Sequence, residues 1–192
     1  MTRHRLLLIA AVGTATVLTG ACTKPQSPPV ATNPPAASPS IAATPVDWPR
    51  CTNDIAGYSI GYPTGWHTTQ LRPAEACTQF HPSAFTIPAG GEYPLTALNA
   101  ARIAQWPPTP DSTFERTLLW ERTTVRGQAA LRYETASTGQ GLYPEGTRRY
   151  GYVIQVGGQL MSVFTLAGPG ESRLAAWKAV VDEAAATVQV RG

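Results

Sequence analysis

The sequence has few of the residues that most catalytic and nucleic-acid-binding sites need. Only 14% of its 192 residues are charged, with 15 Lys and Arg against 12 Asp and Glu, and there are 3 histidines. Arg3 and Arg5 belong to the leader described below, so the remainder carries a net charge of about +1. Arg148-Arg149 is its one basic doublet. This nearly neutral net charge excludes binding to nucleic acid or to anionic lipid that is driven mainly by positive charge.

Motifs for metal ions and phosphate groups are missing too. Gly90-Gly91 and Gly157-Gly158 are not followed by Lys-Ser/Thr and do not lie between a strand and a helix, so both pairs predict turns and not phosphate loops. His67 and His81 have no carboxylate nearby at metal-ligand spacing. We therefore expect no metal, no cofactor and no catalytic residues.

A hydrophobic segment suited to a permanent membrane span is also absent. The apolar run from Leu6 to Leu18 would extend about 20 Å as a helix, whereas the hydrocarbon core of a bilayer measures about 30 Å. Because this run follows Arg3 and Arg5, it has the basic and apolar parts of an export signal. Residues 1–21 are therefore predicted to be a signal peptide.

The end of this leader, Thr19-Gly20-Ala21-Cys22, resembles the lipobox of bacterial lipoproteins, in which small residues precede an obligatory cysteine. The resemblance implies that Cys22 is lipidated and holds the protein at the extracytoplasmic face of the cell membrane. Ordinary signal peptidase cleavage after Ala21 is the alternative, and it would yield a secreted protein.

The cysteine count favours the lipoprotein interpretation. The chain has 3 cysteines, Cys22, Cys51 and Cys77. In an oxidising compartment one thiol would remain after pairing, and lipidation of Cys22 accounts for it. Cys51 and Cys77 then form a disulfide, and the chain-entropy model values the closure of that loop at about 3.5 kcal/mol. The alternative is that Cys51 and Cys77 are unpaired and buried.

The next segment, residues 22–45, is rich in Pro, Ala, Ser and Thr and has no aromatic residue. Such a composition buries too little apolar surface to offset chain entropy, and its prolines favour polyproline II. We predict a disordered tether here. Residues 46–192 have the usual size of one globular domain with a single core.

Proline and glycine divide this domain into short segments that are rich in β-branched and aromatic residues. Strands are predicted at Tyr58–Tyr62 and Leu95–Ile103, and a turn between two strands at Val125–Ala129. A hairpin is predicted where Gly157-Gly158 separates two alternating runs, because Gly-Gly suits a two-residue turn. Its strands are Tyr150–Val156 and Leu160–Leu166.

Two helices are predicted between or after these strands. Ser112 and Glu115 form an S-x-x-E capping box near Asp111, and Phe114 and Leu118 follow at helical spacing. The second helix, Glu171–Thr187, has apolar residues every three or four positions, namely Leu174, Trp177, Val181, Ala184 and Val188. The pattern predicts an α+β domain in which an antiparallel sheet packs against helices.

The segment Tyr58-Ser59-Ile60-Gly61-Tyr62-Pro63-Thr64-Gly65-Trp66 resembles the aromatic-x-Ile-x-Tyr-Pro-x-Gly-Trp opening of PsbP-like domains. The later Val125–Ala130 hairpin, the Arg149–Val153 strand and the final helix follow in that family's order, over most of residues 55–190. With its leader, the chain resembles actinobacterial cell-envelope lipoproteins of the LpqN type. The resemblance implies an α/β/α sandwich and an accessory or binding role, with no catalytic residues to carry over.

Gly57-Tyr58-Ser59-Ile60-Gly61 also matches G-x-S-x-G, the nucleophile elbow of serine hydrolases. That elbow needs a sharp turn from a strand into a helix, followed by an acid and a histidine. Ser59 is instead followed by a strand that runs into a Pro-Thr-Gly turn. We therefore expect Tyr58 and Ile60 to face the core, and Ser59 and Gly61 to face outward. An exported hydrolase that uses Ser59 is the alternative function.

Among the 5 tryptophans, Trp106 is the candidate for ligand binding, because it lies in the proline-stiffened loop Gln105–Pro110. A large aromatic side chain in such a loop is costly to expose unless it packs or binds something. A lid over the edge of the core is the alternative role for Trp106. We expect a membrane-anchored, non-catalytic domain that binds either a small apolar ligand or another envelope protein. A pocket near Trp106 would favour the first, and a flat exposed patch the second.

Overall fold

In the computed structural model the described residues are 40–41, 47–69, 73–87, 95–107 and 112–191, and all lie in one compact unit, Ala37–Gly192. They form a 3-10 helix, Pro73–Glu75, and an α-helix, α1, Leu174–Thr187. The strands are β1 (Ser40–Ile41), β2 (Arg50–Asn53), β3 (Tyr58–Gly61), β4 (His67–Thr68), β5 (Gln79–His81), β6 (Leu98–Ile103), β7 (Glu115–Val125), β8 (Gln128–Ser137), β9 (Arg148–Val156), β10 (Gln159–Ala167) and β11 (Gln189–Val190). Neither helix of this described part has the length and apolarity needed to cross a bilayer.

The strands form two sheets. The large sheet has eight strands in the order β1-β7-β8-β9-β10-β6-β5-β4, and the small sheet has three, in the order β11-β3-β2. Every pairing is antiparallel except that of β1 with β7. The predicted α+β class with a mainly antiparallel sheet is thus confirmed.

Both predicted hairpins are present. Arg126 and Gly127 join β7 to β8 with φ of 49° and 78°, and Gly157 and Gly158 join β9 to β10 with φ of 55° and 78°. Two-residue turns with positive φ at both positions match the right-handed twist of the flanking strands. Local turn chemistry therefore sets the register of two pairings, β7 with β8 and β9 with β10.

The helix predicted near Asp111 is wrong. Asp111 lies outside the described residues, and β7 begins at Glu115. The hydroxyl of Ser112 accepts hydrogen bonds from the backbone N–H groups of Phe114 and Glu115, at 3.2 and 3.1 Å, so the capping geometry exists but a strand follows it. Phe114 and Leu118, which suggested a helical stripe, are exposed. The β-branched residues that follow favour a strand, and pairing with β8 along its whole length stabilises it.

The second predicted helix is confirmed as α1, although it begins at Leu174 and not at Glu171. It buries Trp177, Val181 and Ala184 against one face of the large sheet, which we call the inner face. The small sheet packs on the same side, and its Tyr58 is fully buried there. The predicted layer of helices on both sides of the sheet needs correction, since the described residues contain only this one α-helix.

The predicted disulfide is present between Cys51 and Cys77, whose Cα atoms lie 5.6 Å apart. It ties β2 to the segment that leads into β5. The predicted signal peptide and lipidation site, Cys22, lie outside the described residues. Within the predicted tether, Ser40 and Ile41 form β1 and pair with Thr124 and Val125.

Candidate functional site

The face of the large sheet opposite α1, which we call the outer face, carries an apolar cluster of its own. Leu131, Tyr133 and Val153 are buried at its centre. The partly buried side chains packed around them are Ile103, Trp106, Trp120, Leu160 and Phe164. Within the described ranges no helix packs on this face, so these aromatic side chains cover the sheet themselves.

Strand register arranges the outer face in two adjacent rows of cross-strand partners. Trp120, Tyr133, Gly151 and Phe164 form the first, which we call the aromatic row. The second, the polar row, consists of Thr117, Thr135 and Arg149. Direct cross-strand partners stand about 4.5–5.5 Å apart. The two rows therefore place an apolar surface immediately beside a hydrogen-bonding one.

A β-bulge in β7 brings Trp120 to this face. Thr117 pairs with Thr135 and Leu119 pairs with Glu134, so Leu118 is the extra residue. In a regular strand, residues three apart point to opposite faces. The bulge shifts the alternation by one residue. As a result, Thr117 and Trp120 both lie on the outer face.

Gly151 interrupts the aromatic row because its partner strand passes very close. A Cβ atom at this position would lie 2.3 Å from the carbonyl oxygen of Val163 and 2.5 Å from the Cβ of Phe164. Only glycine fits such a separation, so the residue is fixed by packing and not by its φ angle.

The loop after β6 brings Trp106 over the sheet. The Trp106 ring packs against the outer-face cluster, and the guanidinium carbon of Arg122 lies 5.5 Å from the ring centroid. A guanidinium at this distance over an indole is favourable. Trp106 is thus held on both sides, by apolar side chains beneath it and by Arg122.

A cavity of about 330 Å³ lies between this loop and the two rows. It is lined by Ile103, Pro107, Ser112, Glu115, Trp120, Tyr133, Thr135, Arg149, Val153 and Ser162. This volume is at the lower end of the range, about 300–1,000 Å³, for small-molecule sites. Trp106 is not among the lining residues, but Ile103 and Pro107 on either side of it are.

The polar end of the cavity is built around Arg149. Its Nη1 lies 3.3 Å from Oε1 of Glu115, and its guanidinium carbon lies 5.5 Å from the centroid of Phe164. Burial raises the pKa of Tyr133, so this phenol stays protonated and can donate a hydrogen bond. Thr135 is only 3% exposed. The cavity therefore combines an aromatic wall with a compact set of hydroxyl and charged groups.

A second polar cluster lies on the inner face, under α1. Tyr150 and Tyr152 donate hydrogen bonds to Oδ1 of Asp182, at 2.5 and 2.9 Å, and Arg132 donates to the Tyr150 hydroxyl at 3.0 Å. Burial and the bond to Asp182 raise the pKa of Tyr150 to about 12, and burial also raises the pKa of Tyr152. Each polar group named here has a hydrogen-bond partner. The cluster therefore holds α1 on the large sheet and does not indicate a ligand site.

Ion pairs on the same face also hold α1 on the sheet. Glu134 accepts a hydrogen bond from Lys178 of α1 at 2.7 Å and pairs with Arg148 on the neighbouring strand. Burial opposes the ionisation of Glu134, but the bonds from Lys178 and Arg148 lower its pKa overall. This carboxylate therefore stays charged, and it holds α1 to the sheet.

Ser59 does not occupy a nucleophile elbow. It lies in β3, between β2 and β11, and its Oγ accepts a hydrogen bond from Nη2 of Arg50 at 2.8 Å. The expectation that Ser59 and Gly61 face outward is wrong, because both are buried. Thr187, at the end of α1, covers this side, and its Oγ1 accepts a 2.7 Å hydrogen bond from the Gly61 N–H.

His67 and His81 are cross-strand partners on β4 and β5. The His81 ring packs edge-on against Trp177, with centroids 5.9 Å apart. The described residues contain no group of three or more His, Cys, Asp or Glu side chains that could hold a metal ion. A second cavity beside His81, about 370 Å³, is walled mainly by the exposed loop Gly168–Arg173.

Comparison with solved structures gives a similarity of fold. No protein-family model and no curated protein matches the chain. The chain is similar to the solution structure of cyanobacterial PsbP (CyanoP) from Synechocystis sp. PCC 6803, with 14% sequence identity, a TM-score of 0.43, and coverage of 79% of this chain and 98% of that one. The similarity concerns the fold alone. The function has to be argued from this chain's own residues.

Sequence reasoning identified the Trp106 loop but missed Trp120, Tyr133 and Arg149. Trp120 was missed because a helix was predicted to begin near Asp111, and a helix hides the face that Trp120 occupies on β7. The sequence did contain a signal for a strand in this region, namely the β-branched run Thr123-Thr124-Val125 before the turn at Arg126. It predicts a strand, but not the bulge that sets the face of Trp120.

Proposed function

We propose that this chain is a lipid-anchored, non-catalytic lipoprotein of the cell envelope, of the LpqN type, whose domain binds a small and largely apolar ligand. The observation that carries the proposal is the cavity of about 330 Å³ on the outer face, with Trp120 and Tyr133 in its wall. A concave, mostly apolar site with a few convergent polar groups is the usual form of a small-molecule site.

The envelope location is supported by the sequence and by the disulfide. The basic and apolar leader ends in Thr-Gly-Ala-Cys, and lipidation of Cys22 leaves an even number of cysteines. Cys51 and Cys77 are paired. Disulfides persist mainly in exported proteins. We therefore place the domain outside the cytoplasm, attached by Cys22 and the segment that follows it.

A small ligand is favoured over an envelope protein because of the form of the surface beside Trp106. Protein partners fit flat or convex apolar patches, whereas here a loop and a sheet enclose a cavity. Trp106 holds that loop on the sheet, because its ring packs against the outer-face cluster and lies under the guanidinium of Arg122. The site thus has preformed walls, which lowers the cost of ordering side chains on binding.

A non-catalytic role is supported by the state of Ser59. Its side chain is 7% exposed and its oxygen accepts a hydrogen bond from Arg50. A nucleophilic serine needs a base as its partner, and a guanidinium stays protonated. A fluorophosphonate probe is therefore expected not to label the protein. Labelling that disappears in Ser59→Ala would support the hydrolase instead.

The experiment that tests ligand binding is extraction of the protein from its own envelope, followed by mass spectrometry of the molecules it retains. We expect the unaltered protein to retain a specific small molecule, and Trp120→Ala and Trp106→Ala to lose at least about 80–90% of it, which corresponds to about 1–1.4 kcal/mol. Trp48→Ala is the matched control, because Trp48 is also half-buried but packs against the main core. Equal retention by all three variants would refute the site.

A further inference from the structure

Only some of the N–H donors of Arg149 have a partner among the described residues. Nη1 contacts Glu115, whereas Nε is buried and has no hydrogen-bond partner among the described residues. A guanidinium presents five N–H donors, and its Nε–Nη2 edge fits the two oxygens of a carboxylate. The contact with Glu115 engages Nη1 and leaves the Nε donor of that edge unused.

The neighbouring Thr135 has the same property. It is the direct cross-strand partner of Arg149, it is 3% exposed, and its Oγ1 has no hydrogen-bond partner in the described part of the chain. Buried polar atoms are nearly always hydrogen-bonded, so two adjacent exceptions in the wall of one cavity require an explanation. An acceptor group at this end of the cavity would satisfy both.

The charge of the outer face agrees with a negatively charged acceptor. Among the described residues on the strands of this face, Arg122 and Arg149 lie with Glu115, so guanidinium groups exceed carboxylates by one there. The Glu115 side chain is 28% exposed. It can therefore turn toward solvent when a second carboxylate binds the Nε–Nη2 edge of Arg149.

We propose that the ligand is an amphipathic carboxylic acid, bound with its apolar body against the aromatic row and its carboxylate at Arg149 and Thr135. This inference rests on the proposed function and adds the chemical class of the ligand. The apolar body can be an alkyl chain or an aromatic group, since both pack well against Trp120 and Tyr133.

Two ligand pairs test the inference on the exported Cys22→Ala protein, in detergent-free buffer at neutral pH, by calorimetry. Decanoate and 1-decanol share an alkyl body, and 4-phenylbutanoate and 4-phenyl-1-butanol share an aromatic one. We expect the acid of at least one pair to bind at least about tenfold more tightly than its alcohol, as a charge-assisted bidentate bond predicts. The pair with the larger difference identifies the body. This comparison needs no substitution in the site.

Variants then locate the head group. Arg149→Gln should reduce the preference for the acid to less than about twofold, and Arg149→Lys should keep only part of it, because an ammonium cannot bind side-on. Glu115→Gln should strengthen binding of the acid and leave the alcohol unchanged. Arg116→Gln is the matched control, because Arg116 is an exposed guanidinium on the same strand as Glu115 and does not line the cavity.

The outcomes separate this inference from the proposed function. If acid and alcohol bind equally, and binding is lost in Trp120→Ala, the carboxylate assignment is overturned and the apolar site stands. If none of the four compounds binds, the inference is overturned, and extraction from the envelope still decides the proposed function. If an acid binds better but Arg149→Gln keeps that preference, the head group lies elsewhere and the inference is also overturned.

Discussion

Trp120 and Tyr133 are direct cross-strand partners on β7 and β8, and their ring centroids lie 6.1 Å apart on the outer face of the large sheet. Aromatic pairs at this distance contribute about 0.5–1.5 kcal/mol beyond the area that they bury. The pair therefore stabilises the β7–β8 hairpin and forms the apolar wall of the cavity. Its position depends on the bulge at Leu118.

The aromatic row predicts a strict requirement for glycine at position 151. Gly151→Ala should destabilise the domain by at least about 1–3 kcal/mol, because the added methyl group collides with Val163 and Phe164. Gly141→Ala is the control, since a Cβ there would make an ordinary 3.5 Å contact with Phe114. Urea unfolding of both variants checks the prediction. Equal stability of the two would contradict the close packing of β9 on β10.

The disulfide should contribute a large part of the stability. Cys51→Ala with Cys77→Ala should lower the free energy of unfolding by about 2–5 kcal/mol, because the unfolded chain gains entropy when the link is removed. The measurement is urea unfolding with and without reductant. Reductant should destabilise the unaltered protein and have no effect on the double variant. Alkylation of both thiols in unreduced protein would show that the bond does not form.

The tyrosine cluster under α1 predicts a loss of stability at alkaline pH. The pKa of Tyr150 is raised to about 12 in the folded protein, whereas it is about 10 in an unfolded chain. Between these values the unfolded state releases a proton that the folded state keeps, so stability is full below about pH 10 and falls as pH rises toward 12. Tyr150→Phe should reduce this fall, as measured by urea unfolding from pH 9 to 11. An identical pH dependence in both proteins would rule out the coupling.

If a lipid on Cys22 anchors the protein, substitution of Cys22 should move the protein from the membrane to the medium. Mass spectrometry of the membrane-extracted protein should show a diacylglyceryl adduct on Cys22, and Cys22→Ala should release the domain into the medium. Two acyl chains, at about 0.8 kcal/mol per buried methylene, hold a protein on the membrane stably. The control is Cys51→Ala with Cys77→Ala, which should stay bound. Unmodified Cys22 on functional protein would mean that the N-terminus is processed as an ordinary secretory signal.

Local chemistry made part of the fold predictable. The turns at Arg126-Gly127 and Gly157-Gly158 and the apolar stripe of α1 are readable because they depend on residues close in sequence. The pairing of β6 with β10, and of β11 with β3, joins segments that are distant in the chain. No local pattern specifies such partners, so the division into two sheets was not predictable.

The site was less predictable than the fold because it depends on register. Trp120, Tyr133 and Arg149 come from three strands, and they meet only through the β7–β8–β9 pairing and the bulge at Leu118. A shift of one residue would turn each side chain to the other face. The sequence indicated Trp106 because its loop is unusually rich in proline. The neighbours of Trp120, Tyr133 and Arg149 in the sequence are typical of any strand, so nothing marked these three residues.

The central claim is that a small ligand binds on the outer face, and photo-crosslinking tests it most directly. A decanoate analogue with a diazirine in its chain would be irradiated with the exported Cys22→Ala protein, and the adducts would be mapped by peptide sequencing. We expect adducts at Trp120, Tyr133 and the segment Ile103–Pro107, which unlabelled ligand prevents and Trp120→Ala reduces. Adducts concentrated in the Gly168–Arg173 loop or on α1, or spread evenly over the domain, would contradict the account.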